Sequence, residues 1–183
     1  MSVGSGRAAW LLLGHWDLLG EVRMLSMEEL QACVADPKLA VARVVELLQT
    51  LRSESEEMRA WAADALQQIE CLPAANLGAI GPLCMDSYPV VANWACKMTS
   101  RIAGARSGAE ETLLRTLTLH PHVEVRQQAA KGLGHMGALH PSTLAAMQTL
   151  LERGIDQTDA RLARCIRRAL QPQPTTPPGP CAP

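Results

Sequence analysis

Met58-Arg59-Ala60-Trp61-Ala62-Ala63 decides the fold, because it returns as Val91-Ala92-Asn93-Trp94-Ala95-Cys96, as Val125-Arg126-Gln127-Gln128-Ala129-Ala130 and, more weakly, as Leu162-Ala163-Arg164-Cys165-Ile166-Arg167. The copies begin at 58, 91, 125 and 162, at intervals of 33, 34 and 37 residues. The first two intervals match the period at which one helix pair stacks on the next, and the last is looser. The chain is therefore expected to be an array of helical repeats.

Each copy carries one apolar stripe. Met58, Trp61, Ala62, Ala65, Leu66 and Ile69 stand at helical spacing, followed in the second copy by Val91, Trp94, Ala95, Met98 and Ile102. The third has Val125, Gln128, Ala129, Leu133 and Met136, with Gln128 breaking the pattern, and the fourth has Leu162, Cys165, Ile166, Ala169 and Leu170. A second apolar face precedes every copy: Val41 to Leu51, Leu77 to Cys84, Leu113 to Leu117 and Leu144 to Leu151. Breakers separate the faces, at 53–55, 86–89, 120–122 and 154–159. Each unit thus reads as a helix hairpin, and since one hairpin cannot bury both faces, neighbours must stack. The fold class is all-α, an α-solenoid of about four stacked hairpins over residues 36–170.

Composition agrees. A chain of 183 residues that is 48% hydrophobic and 19% charged can bury an ordinary core, and with only 3% aromatics and no Phe it lacks the residues that build a β-sandwich. The six cysteines form no CxxC pair, so neither a zinc knuckle nor a disulfide framework is indicated, and most are expected to pack as small hydrophobes. Ala8 to Gly14 is too short and too soon interrupted by His15 and Asp17 for a membrane span or a convincing signal core. Residues 1–35 read as capping helices around 8–24 and 27–34, with Met24 or Met27 as alternative starts. A cytoplasmic location follows by default. Six prolines between 172 and 183 make residues 171–183 an extended, disordered tail.

His122-Val-Glu-Val-Arg-Gln-Gln-Ala-Ala-Lys-Gly-Leu-Gly-His-Met-Gly137 resembles the second helix of a HEAT-like repeat, in particular the short type found in phycobilisome lyase proteins. The resemblance is good in this copy, fair at Met58 to Ile69 and partial elsewhere. His122 replaces the usual acidic residue, and Ala92 and Ala163 replace the Arg matched by Arg59 and Arg126, which argues against a regular Asp-to-Arg ladder. The resemblance implies an α-solenoid whose second helices line a concave face that holds another macromolecule, although fold does not fix function. Iron-dependent hydroxylases of this class carry His-Glu ligand pairs, and the chain has no His-Glu dipeptide.

Opposite the stripe, offset six of each copy reads Asp64, Lys97, Lys131, Arg168, and offset two reads Ala60, Asn93, Gln127, Arg164. The presented face becomes more basic towards the C-terminus. Residues 1–91 hold 6 Lys/Arg against 12 Asp/Glu, and residues 92–183 hold 11 against 6, for a net of −1. Lys97, Arg101, Lys131, Arg164 and Arg168 are accordingly the candidate binding residues for a protein partner, acidic in character, since clustered cations concentrate anions. The same residues also fit ordinary solvated faces, with Asp64 and Lys97 as a pair between repeats. A nucleic acid is less favoured at a pI of about 6.5 with few aromatics for stacking. Trp61 and Trp94 are expected in the core. His120, His122 and His140 sit in turn sequences, and with His135 they lack the carboxylate or thiolate a metal site usually adds, so no metal and no cofactor is expected. No catalytic motif is present, and the expectation is a non-enzymatic binding module. The alternative is an enzyme or accessory protein of the HEAT-like class, chromophore lyase-like or nucleic-acid repair-like, for which Asp64 near Trp94 is the one pairing to test. Oligomeric state has no signature in the sequence.

Overall fold

The computed structural model describes residues 23–154 and 159–171. Of the expected helix at 8–24, residues 8–22 lie outside the described residues and Arg23 and Met24 are not helical; the Pro-rich tail beyond Gln171 also lies outside them. Among the described residues ten α-helices follow one another: α1 Met27–Ala35, α2 Pro37–Ala42, α3 Val44–Thr50, α4 Glu56–Gln68, α5 Leu77–Ile80, α6 Pro89–Thr99, α7 Arg106–Leu119, α8 Val123–His135, α9 Pro141–Glu152 and α10 Ala160–Leu170, with short 3-10 helices at Ala74–Asn76 and Gly81–Met85. Among the described residues there is no strand, only one parallel bridge, where Leu72 meets Ile102. The fold is all-α.

Local sequence explains the boundaries. Ser26 caps α1 in a reciprocal capping box with Glu29. The hydrogen bond from the Ser26 backbone, reinforced by Arg23, holds the Glu29 carboxyl down at about 2. Pro37, Pro89 and Pro141 stand at the first helical position, where a missing N–H costs nothing. Gly137 adopts φ +77° just past the end of α8, a backbone conformation that terminates a helix and favours glycine.

The apolar segment before the first copy is two helices, α2 and α3, broken at Arg43 (φ −109°, ψ 19°). Before the second copy, Pro82 confines the chain to α5 and a 3-10 turn. Helices pair as hairpins: α3 with α4, α5 and the Gly81–Met85 turn with α6, α7 with α8, and α9 with α10. Successive hairpins touch through α3–α6, α6–α8, α7–α9 and α8–α10, while α1 packs on α4.

The buried face is rotated from the stripe read in the sequence. Val91, Ala95 and Met98 are buried, but so are Ala92, Cys96 and Thr99, and the third copy adds Ala130 and the fourth Ala163. The second helix α8 packs on its own first helix, α7, and on the second helices α6 and α10; contacts of this kind bury offsets one and five in the second copy, offset five in the third and offset one in the fourth, while offset three is half-buried in all four. Trp61 and Trp94 are consequently only half-buried, lying against the core rather than in it. Ala92 and Ala163, where the HEAT-like pattern has Arg, are fully buried.

The three described hairpin turns use one device built from three chemistries. Five residues before each copy stands a buried acceptor, Ser53, Asp86 or His120. Each accepts the backbone N–H two residues on: Ser55 N to Ser53 Oγ at 3.2 Å, Tyr88 N to Asp86 Oδ1 at 2.8 Å, His122 N to His120 Nδ1 at 3.1 Å. Turns are also stitched to one another. Arg52 pairs with the Asp86 carboxylate, and because His120 Nδ1 is an acceptor, Nε2 carries the proton and donates to the Asp86 carbonyl at 3.1 Å. Arg59 and Arg126 each turn back onto the carbonyl six residues earlier, Ser53 at 2.7 Å and His120 at 3.2 Å. Asp86, 4% exposed, is the centre of this line. Asp86→Ala is expected to cost about 2 kcal/mol, from the lost turn acceptor and the lost Arg52 partner. Urea unfolding checks this, and an unchanged midpoint would mean that the stitching between turns contributes nothing.

Candidate functional site

Second helices present their outer faces side by side, and two grooves open along the seams between them. One, of about 340 Å³, lies between α8 and α10. Its floor is Ala130, Gly134, Cys165 and Ala169, and its rim is Lys131, His135, Arg164 and Arg168; among the described residues no carboxylate lines it. Helical spacing makes the cluster. Arg164 and Arg168 are one turn apart on α10, as Lys131 and His135 are on α8, so each pair shares a face. The small floor residues let the helices approach: a Cβ on Gly134 would lie 3.2 Å from both Cα and Cβ of Ala169. Lys131, Arg164 and Arg168 are exposed, and the concentration of like charge on one groove raises the local density of anions.

The second groove, of about 330 Å³, lies between α4 and α6 and joins apolar walls, Leu51, Ala60, Ala63, Val90, Tyr88 and Trp94, to the charged Glu56 and Arg59. Val90 is 41% and Tyr88 37% exposed, and with Met24 and Leu119 they are the exposed large apolar residues among those described. The two grooves occupy equivalent places in the repeat. Ala63 and Ala130 both stand at offset five of their copies, and Trp94 and Cys165 both at offset three, so the grooves open on the same face.

Of the five candidate residues, Lys131, Arg164 and Arg168 converge on the α8–α10 groove. Lys97 and Arg101 are engaged elsewhere. The Lys97 ammonium lies 4.3 Å from the centre of the Trp94 ring and hydrogen-bonds Gln67. Its partial burial, with Arg101 nearby, lowers its pKa. The Arg101 guanidinium donates to the carbonyls of Leu66, Gln67 and Ile69 at the end of α4. That is a cap on orphan carbonyls, and burial lowers the Arg101 pKa as well. Asp64 is exposed and does not line the groove to which Trp94 contributes, so the pairing nominated for an enzymatic reading is not assembled. Nor does Asp64 meet Lys97 in an ion pair.

His120 and His122 belong to the α7–α8 turn, and His140 caps α9 through its Nδ1. Among the described residues no three His, Cys, Asp or Glu side chains are placed to hold a metal ion. Cys33, Cys84 and Cys96 are buried free thiols, Cys84 within 3.3 Å of Thr99 Oγ1. Sequence reading missed His135 and Cys165 as groove residues, although Cys165 shares its repeat offset with Trp94, and it missed the exposure of Tyr88 and Val90, which no periodicity signals.

Among the described residues no helix is long and apolar enough to cross a membrane. No family model matches the chain, and no curated protein or solved structure shows significant similarity to it.

Proposed function

We propose that the chain is a short HEAT-like α-solenoid of about four hairpins that works without chemistry of its own, holding an acidic segment of a protein partner on the outer face of its second helices. The observation that carries this reading is the α8–α10 groove, where Lys131, His135, Arg164 and Arg168 stand around an apolar floor that no carboxylate lines among the described residues. The solenoid assignment is supported by the order of hairpin contacts and by the turn device repeated at Ser53, Asp86 and His120.

The test is titration of the full chain with a synthetic peptide bearing four consecutive glutamates. The double reversal Lys131→Glu/Arg164→Glu changes only exposed side chains and should leave thermal unfolding unaltered. It is expected to weaken peptide binding by about 30-fold at low salt, the difference shrinking as ionic strength rises. Equal binding by the double variant would reject this groove, and stronger binding of a single-stranded oligonucleotide than of the peptide would replace the protein partner with a nucleic acid. Arg101 is unsuited to such a test because its guanidinium caps α4.

A further inference from the structure

The two grooves on one face define what kind of acidic partner fits. The α8–α10 groove is cationic, while its counterpart between α4 and α6 is walled by Tyr88, Val90 and Trp94 and is open to solvent. A purely acidic segment would leave the second groove unused, with its apolar walls in water. The Lys97 ammonium lies over the Trp94 ring. The two helices between the grooves, α6 and α8, are in contact. Neighbouring packed helices lie about 8–10 Å apart, so groove centres two spacings apart are separated by roughly 20 Å. An extended chain covers that distance in about six residues at roughly 3.3 Å each.

We infer that the partner is an extended peptide with two anchors, a large apolar or aromatic side chain seated between α4 and α6 and an acidic cluster about six residues away seated between α8 and α10. This rests on the function proposed above, and the charge of one groove fixes the acidic end of the peptide while the apolar walls of the other fix its hydrophobic end. Joining two weak sites through a linker that spans them raises affinity without new contacts, whereas a linker too short to span gains nothing.

Three synthetic peptides decide the matter, each binding measured by calorimetry to the full chain: four glutamates alone, the same with a Trp six residues away on either side, and the same with the Trp adjacent. The six-residue peptide is expected to bind about tenfold or more tighter than the other two. Val90→Asp, at an exposed position in the groove wall, should remove that gain and leave the affinity for the glutamate-only peptide unchanged. Equal affinity for all three peptides overturns the two-anchor inference while the acidic groove stands. A gain that survives Val90→Asp overturns the α4–α6 seat. Failure of every acidic peptide to bind overturns the proposed function itself.

Discussion

Glu110→Ala is expected to destabilise the protein by about 3 kcal/mol, because it removes a buried carboxylate that accepts from α7, from the α8–α9 connection and from α9. Glu110 is 4% exposed on α7. Its Oε2 accepts from His140 N at 2.9 Å and from Thr143 Oγ1 at 3.1 Å, and its Oε1 accepts from Arg106 Nε at 3.3 Å. Arg106 in turn donates to the carbonyls of Met136 and Ala138, so one carboxylate and one guanidinium clamp the α8–α9 connection and the start of α9 onto α7. Alanine leaves the part-buried His140 N–H and the buried Thr143 hydroxyl without this acceptor and takes the carboxylate from Arg106, which is half-exposed, keeps its bonds to the Met136 and Ala138 carbonyls and can recover water. That recovery places the loss at the lower end of what breaking a buried pair costs. Glu110→Gln keeps the shape but points an amide N–H₂ at one of the donors, and about 1–2 kcal/mol should be lost. Urea unfolding of the two variants checks both values. A smaller loss for Ala than for Gln would show that the pair, not its satisfaction, is the unfavourable feature.

Gly132 predicts a comparable loss by the opposite mechanism, and here the size of the substituent decides the sign. Gly132 is buried in α8 where the helix crosses α6, and a Cβ there would lie 3.2 Å from Leu113 Cδ1, 3.3 Å from Ser100 Cβ and 3.4 Å from the Cys96 carbonyl oxygen. Alanine gains about 1 kcal/mol of helix propensity over glycine, against which the side chain of Leu113 and the Cβ of Ser100 must each give by a few tenths of an ångström. Gly132→Ala should therefore be close to neutral. Gly132→Leu has no such escape, since backbone of α6 stands in its way, and forcing the two helices apart is expected to cost about 3 kcal/mol or more. Thermal unfolding of the pair is the check. Equal midpoints for Ala and Leu would mean that α6 and α8 separate freely.

Repeat period, helix pairing and turn positions were legible because they depend on local properties: apolar spacing within a helix, prolines at its first position, glycine after its last. Pro89 and Gly137 stand where those properties put them. The buried face was legible only approximately. A single stripe is read from one helix, but Ala92, Cys96 and Ala130 are buried by second neighbours that periodicity within one helix cannot name, and the same rotation leaves Trp94 half-exposed. Of the candidate site, Lys131, Arg164 and Arg168 could be picked from their shared outer offsets. Arg101 has the same character in the sequence, yet its side chain is committed to carbonyls 32 to 35 residues earlier.

The sequence by itself determined that this protein is all-helical with a period near 34 residues and that its outer face turns basic towards the C-terminus, because helix formation and net charge follow from residues close together in the chain. Only the tertiary structure decided which cations gather around an open groove and which are spent as caps, and that Ser53, Asp86 and His120 serve one role in three turns. The physical reason is that hydrogen bonds and grooves join groups some 30 residues apart, and their geometry depends on how closely α4, α6, α8 and α10 approach one another.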